Sequence, residues 1–408
     1  MGLSLSDGQS KMQQLMRYFD HNATTGLDPQ VLEAMLPFLQ THWANPSSAY
    51  QFARPVKRAL AEARAQVAGL LQAQPEEILF TGCGTESINT ALNLATQLGP
   101  DRRHLVLSEV EHDANRRYAQ YLERQGWEVT WLGVDAQGLL RAEQVREVLR
   151  PDTAMVSIMW ANNETGVLFP MQAIAEVCQQ QGVLLHTDAV QAAGKVEIDL
   201  RLVPADLLSL SAHKMHAPKG VGALFVRQGT PFDSYLLGGG QEGGRRAGTQ
   251  NIPGIVAMGC AAQLAQSRLS QTGRIRELRD HLELGLRKQI EGMLINGHPT
   301  QRLPNTSNMA FEGIEGEALL LQLDRVGVAA SSGSACSTGS LEPSHVLRAM
   351  GLSARQALSS IRLSLGHVTT CEDIDYLLEH LPSLVARLRG QTPFKPESKS
   401  IASHGPFT

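Results

Sequence analysis

The stretch DLLSLSAHKMHAPKGVGALFV, Asp206–Val226, places a lysine directly after an apolar, strand-like run. DLLSLS and GALFV both have the short apolar pattern of buried strands, and Lys214 stands between them beside Ser211 and His213. A lysine at a strand end is poorly placed for a surface salt bridge. It is well placed to form a Schiff base with a carbonyl compound, provided that burial lowers its pKa.

Outward from this stretch, helical and strand-like patterns alternate between about residues 56 and 226, as in VKRALAEARAQVAGLL, EILFT, TESINTALNLATQL and HLVLS. This alternation predicts an α/β fold with a doubly wound, mostly parallel sheet. We expect a large domain over residues 18–265 and a smaller α+β domain over 266–390, with residues 1–25 packing near the small domain. Residues 391–408 are rich in Pro, Ser and Lys and are expected to form a flexible tail.

Composition excludes several classes of protein. The 408 residues include 36 basic and 40 acidic side chains, and no run of Lys or Arg forms the basic stripe that binds nucleic acid. No apolar stretch reaches membrane-spanning length, and the first residues lack a signal-peptide pattern. We therefore expect a soluble, cytoplasmic protein.

The five cysteines are odd in number and contain no Cys-x-x-Cys pair, which argues against a disulfide framework or a zinc site. Cys178 and Cys260 lie on apolar helical patterns and are expected in the core. Cys336 differs, because SSGSACSTGSLEPS, Ser331–Ser344, surrounds it with serine, alanine and glycine. Either it is a reactive thiol on an exposed loop or it is a tolerated loop cysteine.

Further candidates follow other strand-like runs, since ligands bind at the carboxyl ends of strands in open α/β sheets. Gly84 and Thr85 follow EILFT and open a helix that suits a phosphate, although such turns also occur for geometry alone. His112 follows HLVLS, and Asp188 and Gln191 follow VLLHT. An ordinary surface histidine and a helix-capping aspartate are the competing interpretations.

Together these residue types match the needs of pyridoxal phosphate. That cofactor requires an amine for its aldehyde, an anion near its ring nitrogen, donors around its phosphate and a flat group over its ring. The chain supplies, in that order, Lys214; Asp188; Thr85, Ser211 and His213; and His112.

Seven motifs then resemble the cysteine desulfurases of the class V aminotransferase superfamily, which have pyridoxal-phosphate fold type I. They are SAHKMHAPKGVGALFV, HTDAVQAAGK, FTGCGTESIN, ANNETG, EVEHDA, GGGQEGGRRAGTQN and SSGSACSTGSLEPSHVLRAMG. The similarity spans about Tyr18 to Leu388 and implies a seven-stranded, mostly parallel sheet in the large domain. The cysteine loop is similar to the branch that serves iron-sulfur cluster assembly, including the nitrogen-fixation type.

The resemblance also implies roles for individual residues. Lys214 would hold the cofactor and remove the Cα proton of the substrate, while His112 would stack on the ring and assist proton transfer. Asp188 would pair with the ring nitrogen, and Arg362 would bind the substrate's α-carboxylate. The other implied contacts are Asn163 and Gln191 to the ring oxygen or substrate, Gly84, Thr85, Ser211 and His213 to the phosphate, and Asn45 to the substrate.

Two implied roles reach beyond a single site. Thr249 would bind the phosphate of a neighbouring subunit, which implies a homodimer. Cys336 would attack the sulfur of the substrate L-cysteine, leaving L-alanine and a persulfide on the enzyme. That sulfur would pass to an acceptor protein, such as a scaffold for iron-sulfur clusters, or to thio-cofactor synthesis.

Departures from the family pattern occur at Tyr50, Cys83, Ala217 and His367. Alternatives on the same fold are a selenocysteine lyase, an aminotransferase and a kynureninase-like hydrolase, and a non-catalytic scaffold is a further one. Cys336 argues against the aminotransferase and the hydrolase, which need no thiol nucleophile. A selenocysteine lyase can share it.

Overall fold

The computed structural model of the chain describes residues 16–332 and 342–391. Within these ranges the α-helices are α1 (Pro29–Gln40), α2 (Arg54–Leu71), α3 (Gly84–Ala95), α4 (Asp113–Arg124), α5 (Ala142–Val148), α6 (Met171–Gln181), α7 (Ile252–Arg268), α8 (Thr272–Gln289), α9 (Gly316–Arg325), α10 (His345–Ala349), α11 (Ala354–Leu358) and α12 (Cys371–Gln391). None of the helices in the described part of the chain is long and apolar enough to cross a membrane.

The strands of the same ranges are β1 (Arg17–Tyr18), β2 (Ile78–Thr81), β3 (His104–Ser108), β4 (Glu128–Leu132), β5 (Thr153–Ser157), β6 (Leu184–Asp188), β7 (Leu207–Ser211), β8 (Gly222–Val226), β9 (Met293–Asn296), β10 (Thr306–Phe311), β11 (Val328–Ala329) and β12 (Ser360–Ser364).

Seven of these strands form the main sheet, in the order β2-β8-β7-β6-β5-β3-β4. Strands β3 to β7 pair in parallel, and β8 is antiparallel to both β7 and β2. This arrangement confirms the predicted α/β fold with a mostly parallel sheet of seven strands. Because β8 runs against both of its neighbours, β2 and β7 point the same way. The carboxyl ends of β2, β6 and β7 therefore meet at one edge.

The inner strands of this sheet are buried because helices cover both of its faces. Every residue of β3, β5, β7 and β8 is buried, so these strands show no alternation between buried and exposed positions. Cys178 in α6 is buried as predicted, whereas Cys260 in α7 is only partly buried and lies at the edge of the core.

A smaller antiparallel sheet, in the order β12-β10-β9, supports a second hydrophobic cluster with α8 and α12. Phe19, just after β1, is fully buried in this second cluster, and β1 pairs with β11. Residue 265 falls inside α7, and Val346 and Leu347 of α10 pack on the larger cluster. The division into domains at residue 265 stays a prediction. Residues 1–15 and 392–408, with most of the predicted tail, lie outside the described ranges.

Candidate active site

A cavity of about 260 Å³ lies at the sheet edge where β2, β6 and β7 end. The turns that follow these strands form much of its wall, and the segments after β1, β3 and β5 and one side chain of β12 complete it. Most of the site residues predicted from the sequence line this single cavity, namely Gly84, Thr85, His112, Asn163, Asp188, Gln191, Ser211, His213, Lys214 and Arg362.

Lys214 ends a short 3-10 turn, Ala212–Lys214, that follows β7 directly. Its Nζ donates to the main-chain oxygens of Asn22 at 2.7 Å and Ala23 at 2.6 Å. The segment after β1 therefore fixes this amine at the cavity wall. Burial, together with the Lys214 cation, lowers the pKa of the adjacent His213 to about 4, so that ring is neutral at neutral pH.

Asp188 is the last residue of β6 and is 5% exposed. Its Oδ1 accepts from Val190 N at 2.9 Å, so the carboxylate caps the next turn as well as lining the cavity. Burial raises the pKa of Asp188, and the nearby charges of His112 and Lys214 partly offset that rise. A cationic group bound beside Asp188 would compensate for its lost hydration.

His112 is the N-cap of α4, and its Nδ1 accepts from Ala114 N at 3.1 Å. When the ring is neutral, this contact places its proton on Nε2. The local structure thus selects the tautomer of His112.

Gly84 opens α3 where the backbone comes close to β7. A Cβ at this position would lie 3.1 Å from Ser211 Cβ and 3.2 Å from Val190 Cγ2, so a larger residue would crowd both neighbours. Cys83 is the N-cap, and its Sγ accepts from Glu86 N at 3.5 Å. The amides at the start of α3 make this corner of the cavity suitable for an anion.

Arg362 in β12 is 2% exposed and reaches the cavity from the small sheet. Its Nη1 donates to Asn163 O at 2.9 Å, and its Nη2 donates to Asp20 Oδ1 at 2.7 Å. Its Nε is buried and has no partner among the described residues. A buried guanidinium with an unused donor is suited to a carboxylate ligand.

Comparison with known proteins identifies the family to which this fold and site belong. Residues 17–377 match the aminotransferase class-V family. The chain belongs to this family. "Cysteine desulfurase 2" from Trichormus variabilis is 51% identical over 377 residues, which cover 92% of this chain and 95% of that relative.

Solved structures agree with the class V assignment. One titled "NIFS-LIKE PROTEIN" superimposes with a TM-score of 0.86 at 37% identity, covering 91% of this chain and all of the other. Another, titled "SspA in complex with cysteine", has a TM-score of 0.77 at 35% identity and covers 86% of this chain and 98% of its own. These matches confirm the predicted resemblance to the cysteine desulfurases.

Two of the described site residues predicted from the class V motifs, Asn45 and Thr249, are not among those that line the cavity. Asn45 is exposed, and its Oδ1 accepts from Ser47 N at 2.9 Å, so this amide caps a turn. Thr249 is exposed in the segment before α7. Cys336 lies outside the described residues. The roles assigned to all three stay predictions.

Asn22 is a residue of this class V site that the sequence analysis did not single out. It is 1% exposed, and its Nδ2 donates to Asn163 O at 3.2 Å and to Thr306 Oγ1 at 2.9 Å. Its Oδ1 accepts from Lys195 Nζ at 2.9 Å. The polar run DHNATT directly after strand-like RYF was the signal that could have indicated it.

Glu111, next to His112, is a second residue that sequence reasoning missed. It is fully buried, and Ser108 Oγ at 2.6 Å and Met159 N at 2.9 Å donate to its Oε1. Its Oε2 has no partner among the described residues. Burial raises the pKa of Glu111 to about 8, so it is protonated at neutral pH and adds no second negative charge near Asp188.

Among the four departures from the family pattern, only Cys83 lines the main cavity. Ala217 is buried and Tyr50 is exposed, and nothing in the structure explains either substitution. His367 Nδ1 lies 3.0 Å from His216 Nε2, and both rings line the smaller space beside Lys214 rather than the main cavity.

Proposed function

We propose that this class V enzyme is a pyridoxal-phosphate-dependent cysteine desulfurase, which converts L-cysteine to L-alanine and transfers the sulfur to Cys336. The observation that carries the proposal is the convergence of Lys214, Asp188 and Arg362 on one cavity. An amine, a buried carboxylate and a buried guanidinium are the groups needed to hold this cofactor and an amino-acid carboxylate together.

The residues present fit the cofactor. Asp188, whose pKa burial raises, would hold the ring nitrogen, and Gln191 or Asn163 would contact the ring oxygen. Because Gly84 has no side chain, the backbone amides at the start of α3 face the space where a phosphate would bind. Thr85, Ser211 and His213 line the cavity beside these amides. When bound, pyridoxal phosphate supplies an electrophilic aldehyde and a ring that withdraws electrons from the substrate's Cα.

The side chains around the cavity divide the remaining work. Arg362 would bind the substrate's α-carboxylate through its guanidinium at the cavity wall, which orients Cα toward Lys214. Lys214 Nζ would accept the Cα proton. His112, with its ring proton on Nε2, would assist proton transfer to and from the substrate in the cavity. The contact of Asn45 with the substrate stays a prediction.

Cys336 would receive the sulfur. Its thiolate would attack the substrate Sγ, and the electron pair of the breaking Cβ–S bond would stay with the substrate, whose Cβ gains a proton to become the methyl group of alanine. Anchors on both sides of this cysteine support the assignment. Ser331 O accepts from Arg362 N, at 2.6 Å, and Ser344 Oγ donates to Glu164 Oε2, also at 2.6 Å.

Product analysis tests the reaction. Purified protein supplied with pyridoxal phosphate, L-cysteine and a reductant should release alanine and sulfide in equal amounts. Lys214→Ala should release neither, and Lys57→Ala, an exposed lysine on α2, should match the wild type. Turnover of selenocysteine without turnover of cysteine would instead assign a selenocysteine lyase.

We further propose that the enzyme is a cytoplasmic homodimer that passes its sulfur to an acceptor protein for iron-sulfur cluster assembly, including the nitrogen-fixation type, or for thio-cofactor synthesis. The exposed position of Thr249, away from the cavity of its own chain, supports a role in a second subunit. Sedimentation should give twice the chain mass, and a monomer that is fully active would exclude the shared site.

A further inference from the structure

Lys195 lies behind the cavity and has no part in the steps above. Its Nζ donates to Gln191 Oε1 at 2.7 Å and to Asn22 Oδ1 at 2.9 Å. It lines a separate space of about 90 Å³ that also has Lys214 in its wall, and it is not among the residues that line the main cavity. Any influence of Lys195 on bound molecules must therefore pass through other residues.

Main-chain oxygens fix the orientation of both amides that Lys195 contacts. Gln191 Nε2 donates to Asn22 O at 2.9 Å, so Gln191 Oε1 must face Lys195, since a carbonyl oxygen only accepts. Asn22 Nδ2 donates to Asn163 O, which turns Asn22 Oδ1 toward Lys195 for the same reason. Lys195 thus donates hydrogen bonds to two buried oxygens, Gln191 Oε1 and Asn22 Oδ1. Without Lys195, each of these oxygens would have one donor fewer.

Both contacts of Lys195 lead to the amine of the active site. The main-chain oxygen of Asn22 accepts from Gln191 Nε2 and also from Lys214 Nζ. We propose that Lys195 is a positioning residue: by holding Gln191 and Asn22, it fixes the oxygen that in turn holds Lys214 Nζ. This inference rests on the proposed function, because the groups positioned are those assigned to the cofactor.

Charge adds to the effect of these hydrogen bonds. The charged or titratable groups that face Lys195 are Lys214, Arg362 and His21. Burial, and then the two neighbouring cations, lower the pKa of Lys195 well below its usual range. The interaction is mutual, so a charge on Lys195 also opposes a proton on Lys214.

Two readouts other than activity test the proposal on cofactor-loaded protein, namely the pH midpoint of the cofactor absorption band and the dissociation constant of pyridoxal phosphate. We expect Lys195→Met to shift the midpoint by about 0.5 to 1 pH unit, because the Asn22 oxygen that holds Lys214 Nζ loses its fixed position. The dissociation constant of pyridoxal phosphate should rise about tenfold, because buried oxygens lose donors. Lys195→Gln keeps a donor, so it should shift the midpoint less and weaken binding less. Exposed Lys288→Met is the control and should change neither.

A double variant tests the route of the effect. If Lys195 acts in part through Gln191, then Lys195→Met combined with Gln191→Leu should lose less cofactor affinity than the sum of the two single losses. Independent, additive losses would overturn the proposal, as would unchanged midpoints in both Lys195 variants. Should Lys195→Met fail to fold, the pH midpoint of the absorption band is compared between Lys195→Gln and the wild type alone. Borohydride reduction of the wild type separates the two hypotheses, because absence of a cofactor adduct on Lys214 would overturn the proposed function itself.

Discussion

Arg362 Nη2 and Asp20 Oδ1 lie 2.7 Å apart in an ion pair that joins the small sheet to the segment after β1. The side chain of Arg362 is 3% exposed and that of Asp20 is 18% exposed. Asp20 therefore compensates the charge of a buried cation at the cavity wall. The guanidinium that we propose for substrate binding is held in place by residues of this chain.

Asp20→Asn should lower the free energy of unfolding by about 3 kcal/mol, because it leaves the buried guanidinium without its counter-charge. Denaturant unfolding measures this loss. The control is Asp199→Asn, whose partner Arg201 is 67% exposed, and its effect should be much smaller because solvent screens that pair. Equal losses in the two variants would show that the Asp20 pair is no stronger than a surface pair.

Arg362→Lys should raise KM for L-cysteine by about tenfold to a hundredfold and change kcat less, because a lysine offers a point charge in place of a planar fork. Steady-state kinetics with saturating cofactor give both constants. Arg325→Lys, an exposed arginine at the end of α9, should leave both unchanged. An unaltered KM in Arg362→Lys would remove this residue from substrate binding.

Gly84→Ala should weaken the binding of pyridoxal phosphate about tenfold, because the new Cβ would press on Ser211 and Val190 beside the start of α3. Equilibrium dialysis of the apoprotein with the cofactor measures the change. Gly273→Ala in α8, where a Cβ meets no atom within 4 Å, should bind normally. Normal binding by Gly84→Ala would place the phosphate elsewhere.

Glu111→Gln should alter the pH dependence of stability. Burial raises the pKa of Glu111 from 4.5 to about 8, so between these values the folded chain keeps a proton that the unfolded chain releases. This group therefore makes the free energy of unfolding fall as pH rises, by at most about 1.4 kcal/mol per pH unit.

Unfolding at pH 5, 6, 7 and 8 should show that Glu111→Gln gains stability relative to the wild type at each step upward. Glu109→Gln, an exposed neighbour, should run parallel to the wild type. Parallel curves for all three proteins would mean that Glu111 is already ionised when the chain is folded.

The residues that could be predicted from the sequence follow strands. Lys214, Asp188 and His112 come soon after apolar runs, so the topology of the sheet alone brings them to one edge. Asn22 and Lys195 escaped notice because their contact spans 173 positions and depends on how distant segments pack. The pairing of Arg362 with Asp20, 342 positions apart, is of the same kind.

The resemblance to the family identified Arg362 as a site residue but did not indicate that Asp20 pairs with it. Asn45 shows the opposite limit, since a matching motif assigned it a substrate contact while it is not among the residues that line the cavity of its own chain. Local patterns therefore predicted the elements and the strand-end residues, and long-range packing decided the rest.

The proposal that Cys336 receives the sulfur is tested most directly by a single exposure of the enzyme to L-cysteine without reductant. The position of the bound sulfur is then mapped. Mass analysis of peptides from the cofactor-loaded enzyme should find one extra sulfur atom on Cys336 and none on Cys83 or Cys371, and Cys336→Ala should carry none while still binding cysteine. An extra sulfur on a different cysteine, or sulfide release by Cys336→Ala at the wild-type rate, would contradict the assignment of Cys336.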